Sequence, residues 1–156
     1  MLFNNELETV GPPPLPIIVV KHDCPLQALL ICRDWIGVRT HWWGGHTIAC
    51  SNDDSCEPCS SNRQWVKKYY IAAEGLKSGQ KVLLMLTPCA AEMIVSGRTR
   101  VDGFLGCEIY LARSAKRNTA PMVAKIVGFH GKTPDFGSDR LERVVTRIFR
   151  ENIGEK

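Results

Sequence analysis

Three cysteines, Cys50, Cys56 and Cys59, fall within ten residues, and two histidines, His41 and His46, lie just upstream of them. Cys56-Glu57-Pro58-Cys59 is a Cys-x-x-Cys knuckle. That spacing lets two thiolates take adjacent corners of a tetrahedron while backbone N–H groups donate to the sulfurs. A third cysteine and one histidine complete the Cys3His set of closed structural zinc sites, and thiolate with imidazole suits Zn2+ better than Mg2+ or Ca2+. A thioredoxin-like redox pair would need the knuckle between a strand and a helix, which the pattern does not offer. Catalytic zinc is poorly supported as well. Zinc deaminases use His-x-Glu and a later Pro-Cys-x-x-Cys, whereas here Trp43 and Ile48 stand two residues after the histidines and Ser55 precedes Cys56. The sequence has no His-Glu-x-x-His motif and no Walker-type phosphate loop. The expectation is one structural Zn2+ held by Cys50, Cys56, Cys59 and a histidine, with no catalytic residues and no enzymatic activity. By position alone, His41 and His46 can both reach.

The elements that must position these ligands follow from pattern. Gln27 to Trp43 reads as one long strand bent near Gly37, and Gly44-Gly45 as a two-residue hairpin turn. A strand alternates its side chains, so such a hairpin puts His41, His46, Ile48 and Cys50 on one face. The stretch from Ser51 to Asn62 is polar and cannot build a core, so a metal must order it. Strands are expected at Trp65–Ala73 and Lys81–Leu86, then a short helix with Thr87 as N-cap and Pro88 in its first turn. A strand through Leu105, Cys107, Ile109 and Leu111 follows, then a basic loop from Arg113 to Thr119 and a strand Met122–Phe129. After Ser138, the residues Leu141, Val144, Val145, Ile148 and Phe149 form one apolar stripe of a helix. Five strands with a helix between the third and fourth give a mainly β, OB-fold-like barrel, with the zinc loop between strands 1 and 2 and a C-terminal helix. Residues 1–20, with their prolines, read as an extended arm, 21–130 as the OB-like domain with its zinc loop at 41–62, and 131–156 as an amphipathic helix. That helix is expected to pack on the domain, with self-association as its alternative use.

Charge is unevenly spread over the 156 residues. Residues 1–59 carry three basic and seven acidic side chains, residues 60–117 ten and four, and residues 118–156 seven and five. A basic middle region suits a polyanionic partner. Single-strand binders combine a basic groove with aromatic platforms, and Trp42, Trp43, Trp65, Tyr69 and Tyr70 stand close in sequence to Arg39, Arg63, Lys67 and Lys68. The candidate nucleic-acid contacts are Arg39, Trp43, Lys67, Lys68, Tyr70, Arg98, Arg100, Arg113, Lys116 and Arg117. Strand aromatics are more often core than platform, and any one of these cations is more often a plain surface charge. Cys24, Cys32, Cys89 and Cys107 lie in apolar stretches and read as core. No apolar run is long enough to span a membrane, and Met1 to Glu8 lacks signal-peptide features, so a cytoplasmic location is expected, in a bacterium or a phage-infected host.

The run His41-Trp42-Trp43-Gly44-Gly45-His46-Thr47-Ile48-Ala49-Cys50, with Cys56-Glu57-Pro58-Cys59 and then Gly103 to Ile126, resembles the zinc-containing single-stranded-DNA-binding proteins of tailed phages. The resemblance covers about residues 27–128, and its specific part is the metal motif. It implies an OB-fold, a structural zinc whose histidine is the one before the tryptophans, His41, and single-stranded DNA as partner in replication or recombination, with RNA left open. The sequence departs from that family at its end. The phage proteins carry an acidic recruiting tail, whereas the terminal helix here carries Arg140, Arg143, Arg147 and Arg150. The alternative function is a zinc-stabilised protein-interaction module. A small zinc hydrolase or nuclease ranks last, because no clustered carboxylates are available to hold catalytic metal.

Overall fold

A computed structural model describes residues 15–97 and 103–154. Its strands are β1 (Ile17–Ile18), β2 (Leu26–Leu30), β3 (Ile36–Trp43), β4 (His46–Ala49), β5 (Val66–Gly75), β6 (Lys81–Leu86), β7 (Cys107–Arg113) and β8 (Met122–Phe129). Its helices are α1 (Glu57–Ser60), α2 (Pro88–Gly97) and α3 (Ser138–Gly154).

The sheet is organised around β5, the longest strand. The end of β5 pairs with β2 (Ala73 opposite Leu30) and its start pairs with β3 (Tyr70 opposite Ile36), while β6 runs along its other side. The order β1-β6-β5-β2-β7-β8 follows, with the β3–β4 hairpin branching from β5. The sheet is mixed, because β1 joins β6 in parallel whereas the other pairings are antiparallel. Among the described residues no ladder joins β8 back to β6, so where an OB-fold-like five-stranded barrel was expected the strands form an eight-stranded sheet that does not close. The free side of β8 is covered instead by α2, whose Met93 sulfur accepts the Ala124 N–H at 3.4 Å.

The long first strand is two strands, interrupted at residues 31–35. The backbone groups there are claimed by other segments. Ile31 donates to Ala72 and accepts from Phe136, the Arg33 carbonyl accepts from Phe104, and the Asp34 carboxylate accepts the Trp35 N–H. These bonds replace a ladder and turn β3 away from β2.

β5 is buried on both faces from Tyr70 to Ala73. One face looks into the core with Ile71, Leu84, Ile109 and Leu111. The other is covered by α3, where Leu141, Val144, Val145 and Phe149 are buried and the Phe149 ring meets Tyr70 edge-on at 5.5 Å. The apolar stripe of the terminal helix thus packs on the domain's own core. Cys32 and Cys107 are buried as expected, but Cys24 and Cys89 are exposed, since each sits just outside a strand or at a helix start. No helix among the described residues is long and apolar enough to cross a membrane.

Candidate metal centre

The hairpin that begins the site is set by its turn. Gly44 and Gly45 have φ of +63° and +85°, the two positive values that a two-residue turn of matching twist requires and that glycine adopts without strain. Trp43 then faces His46, and His41 faces Ile48. The Cys50 N–H donates to the Arg39 carbonyl at 2.7 Å, carrying the pairing one step past β4 and placing Cys50 beside His41. The next residues have almost no core of their own, since only Cys56 and Pro58 are buried between Ser51 and Trp65. Local polar bonds shape them. The Asp53 carboxylate accepts from the Ser51 hydroxyl and from the Ser55 N–H and hydroxyl, and the Ser55 hydroxyl first among these holds its pKa below the ordinary range. The Cys56 carbonyl then accepts from Ser60, closing the single turn of α1 that carries Cys59.

These elements bring His41, Cys50, Cys56 and Cys59 together with all four ligand atoms within 4.8 Å of one another. Cys50 Sγ lies 3.7 Å from Cys56 Sγ and 3.5 Å from Cys59 Sγ, and His41 Nε2 lies 3.6 and 3.4 Å from the Cys56 and Cys59 sulfurs. Zn–S and Zn–N bonds of ordinary length at tetrahedral angles give edges of about 3.8 Å between sulfurs and about 3.6 Å between sulfur and nitrogen. The site therefore has the size of a tetrahedral cage for one metal ion. Its electrostatics ask for a cation. Burial raises the Cys56 pKa, but backbone and side-chain hydrogen bonds from Cys59 outweigh it and bring the thiol down to about 6, while hydrogen bonding with Cys50 and Cys56 pushes Cys59 up to about 12. Thiolates this close oppose one another's charge, a conflict that a bound dication removes. His41 is the histidine in the cage. His46 turns its Nδ1 to the Gly44 carbonyl at 3.2 Å and stays outside it.

The nucleic-acid candidates scatter. Tyr70 is 3% exposed and belongs to the core beneath α3, so it is no platform. Arg113 is half-buried, with its guanidinium donating to the Val20 and Ala120 carbonyls, a brace between the start of the chain and the loop that follows β7. Lys68 is half-buried too, and burial, then the nearby Arg113 charge, lower its pKa. Lys116 and Arg117 are exposed in their loop, and Trp43 is half-buried beside the hairpin turn. Arg98 and Arg100 lie outside the described residues.

Arg39 and Lys67 do come together. They are direct cross-strand partners on β3 and β5 and share a face with Gly37, Tyr69 and His41. The Arg39 guanidinium lies over the Trp65 ring at 4.5 Å, and the Lys67 ammonium over Tyr69 at 5.7 Å. Tyr69 in turn meets Trp35 at 5.3 Å, and Trp35 stacks on Phe104 at 4.2 Å. Gly37 makes room for this layer, because a Cβ there would come within 2.6 Å of Lys67 Cε and 3.2 Å of the Tyr69 ring. Trp35 and Phe104 were not among the candidates, and no local signal marks them, since they meet only through the break between β2 and β3.

No protein-family model matches the chain, and no curated protein or solved structure matches it either.

Proposed function

We propose that the chain is a non-enzymatic single-stranded-nucleic-acid-binding protein, with DNA as the favoured strand, and that His41, Cys50, Cys56 and Cys59 hold one structural Zn2+. The observation that carries the reading is the strip Trp35–Tyr69–Lys67–Arg39–Trp65, exposed at Lys67, Arg39 and Trp65 and half-buried at Trp35 and Tyr69, in which cations lie over aromatic rings on the face that leads to the metal centre. Unpaired bases offer flat π-faces to such rings, and the cations beside them meet the phosphates. The donor set fits zinc, being three thiolates and an imidazole with tetrahedral edges. When bound, the ion ties a coreless loop to the β3–β4 hairpin. The chain's own residues do the rest, Arg39 and Lys67 setting charge and Trp65 and Tyr69 offering rings.

On this reading the scaffold is an opened OB-fold, in which β2 and β3 together form the bent first strand and α2 stands between the third and fourth. The work belongs in the cytoplasm, where thiolates stay reduced, in a replication or recombination role of the kind the phage resemblance implies. Trp65→Ala and Tyr69→Ala test it. Each should weaken binding of a labelled single strand by about 1–3 kcal/mol while leaving the salt dependence unchanged. Folded variants that bind as the wild type does would remove the strip from the account.

A second reading rests on a different face. Ile36, Val38, Ala49, Val145 and Phe149 line an apolar groove of about 450 Å3 between the hairpin and α3, and Trp42 on that face is 71% exposed. A zinc-stabilised interaction module would use that groove, and Trp42→Ala would then abolish partner capture without touching single-strand affinity.

A further inference from the structure

We propose that the metal centre is also an oxidant-sensitive latch on the nucleic-acid face, in which a peroxide joins Cys50 to Cys59 and the strip releases its strand. The inference rests on the single-strand reading given above. Cys50 and Cys59 are the half-buried pair of the cage, whereas Cys56 is 4% exposed, and their sulfurs lie 3.5 Å apart, the shorter of the two sulfur–sulfur separations at Cys50. A peroxide therefore meets one of these two first, and the other stands next to the sulfenic acid that forms.

The chemistry balances with the peroxide as oxidant. One thiolate attacks the peroxide, the O–O bond breaks, and the sulfur becomes a sulfenic acid as hydroxide leaves and is protonated to water. The second thiolate attacks that sulfur, the S–S bond forms, and a second hydroxide leaves and takes a proton. Two thiolates, one hydrogen peroxide and two protons thus give one disulfide and two waters. Two of the four donors are then lost to the ion, leaving His41 and Cys56, which do not hold it alone.

The structure connects this event to the strip. The Cys50 N–H is bonded to the carbonyl of Arg39, the residue that covers Trp65. On the other side Asn62 and Arg63 bond back to Cys59 and Pro58, and β5 begins three residues after Arg63. Drawing the sulfurs to the roughly 2 Å of a disulfide pulls α1 toward β4. It also ends the shared hold on His41 and Cys56, so the segment leading into Trp65 shifts with α1 and the Trp65 ring is displaced from the Arg39 guanidinium.

The test uses metal-loaded, reduced full-length protein treated with hydrogen peroxide. Zinc release is followed with a chromogenic chelator, and affinity for a labelled oligothymidylate by anisotropy. Cleavage on the amino side of Asp53 and of Glu57 separates the three cysteines into different peptides for mass spectrometry, so oxidation at the exposed Cys24 and Cys89 is read separately. The expected result is zinc release in step with a Cys50–Cys59 disulfide, affinity weakened about tenfold, and both restored by a thiol reductant with added zinc. A protein with Cys24→Ser and Cys89→Ser keeps the cage and should bind the strand and release zinc and strand under peroxide as the wild type does; loss of the peroxide response in that variant overturns the latch, and if it does not fold the wild-type time course decides. Unchanged affinity after full zinc release overturns the latch and leaves the binding reading standing. Metal and thiols that survive peroxide overturn it as well, and so does a disulfide that excludes Cys50 or Cys59. Absence of affinity before peroxide is added overturns the binding reading and the latch with it.

Discussion

His41→Ala and His46→Ala separate the metal cage from its nearest imitation. His41 is 3% exposed with its Nε2 aimed at two sulfurs, whereas His46 contributes one hydrogen bond within the hairpin turn. If free zinc stands at a hundred times its Kd, the metal stabilises the fold by about 2.7 kcal/mol. Losing that lowers the melting temperature of a chain of this size by about 5–11 °C. Losing the His46 bond costs about 0.5–1.5 kcal/mol and leaves the metal in place. The assay is elemental analysis of each purified variant together with a thermal melt, with and without chelator. Chelator should lower the wild type and His46→Ala alike and leave His41→Ala nearly unmoved, because that variant has already lost what the chelator removes. A His41→Ala protein that keeps one zinc per chain, or a His46→Ala protein that loses it, would refute the assignment of the cage.

Cys56→Ser should also lose zinc and melt lower, since site formation and folding are coupled; a metal-free protein that melts as the wild type does would contradict this. Tyr70→Ala should destabilise the fold by about 3–5 kcal/mol in denaturant melts, as a large buried ring does, while Tyr70→Phe should leave single-strand affinity intact. Charge reversal at Arg39 and Lys67 should flatten the salt dependence of binding, by a log–log slope of about 0.7 for each phosphate contact removed, and weaken all sequences equally. The Glu108 carboxylate accepts from His130 at 2.8 Å and from Gln27, and these bonds, His130 first, hold its pKa below the ordinary 4.5. A carboxylate depressed in the folded state stabilises fully above its unfolded pKa and loses that contribution as pH falls through the folded value. The melting difference between wild type and Glu108→Gln should therefore be constant near neutrality and shrink in acid.

Much of this architecture could be read from the chain, for identifiable reasons. β6 and β8 match their expected ranges residue for residue, because each is a dense apolar or alternating run bounded by turns. Thr87 caps α2 through its hydroxyl to Ala90 at 3.4 Å, as the Thr-Pro start implied. The cage was legible because its spacing is a chemical requirement, and Gly44-Gly45 fixed the parity that puts His41 and Cys50 together. What stayed hidden depends on distant segments. Period two assigns Tyr70 and Lys68 to one face and Tyr69 and Lys67 to the other, but does not say which face a helix seventy residues away will cover. Since α3 covers the Tyr70 face, that ring became core and its neighbour Tyr69 stayed half-buried on the opposite face. Arg113 likewise read as a loop cation, because its carbonyl partners at Val20 and Ala120 are supplied by the fold.

A titration of labelled single strand against metal-loaded protein, repeated with duplex of the same sequence and across a salt series, tests the central claim most directly. The account predicts saturable binding of the single strand at low salt, a linear fall of log affinity with log salt, and much weaker binding of the duplex, whose bases are already stacked. No affinity for the single strand at low salt, or equal affinity for the duplex, would contradict it.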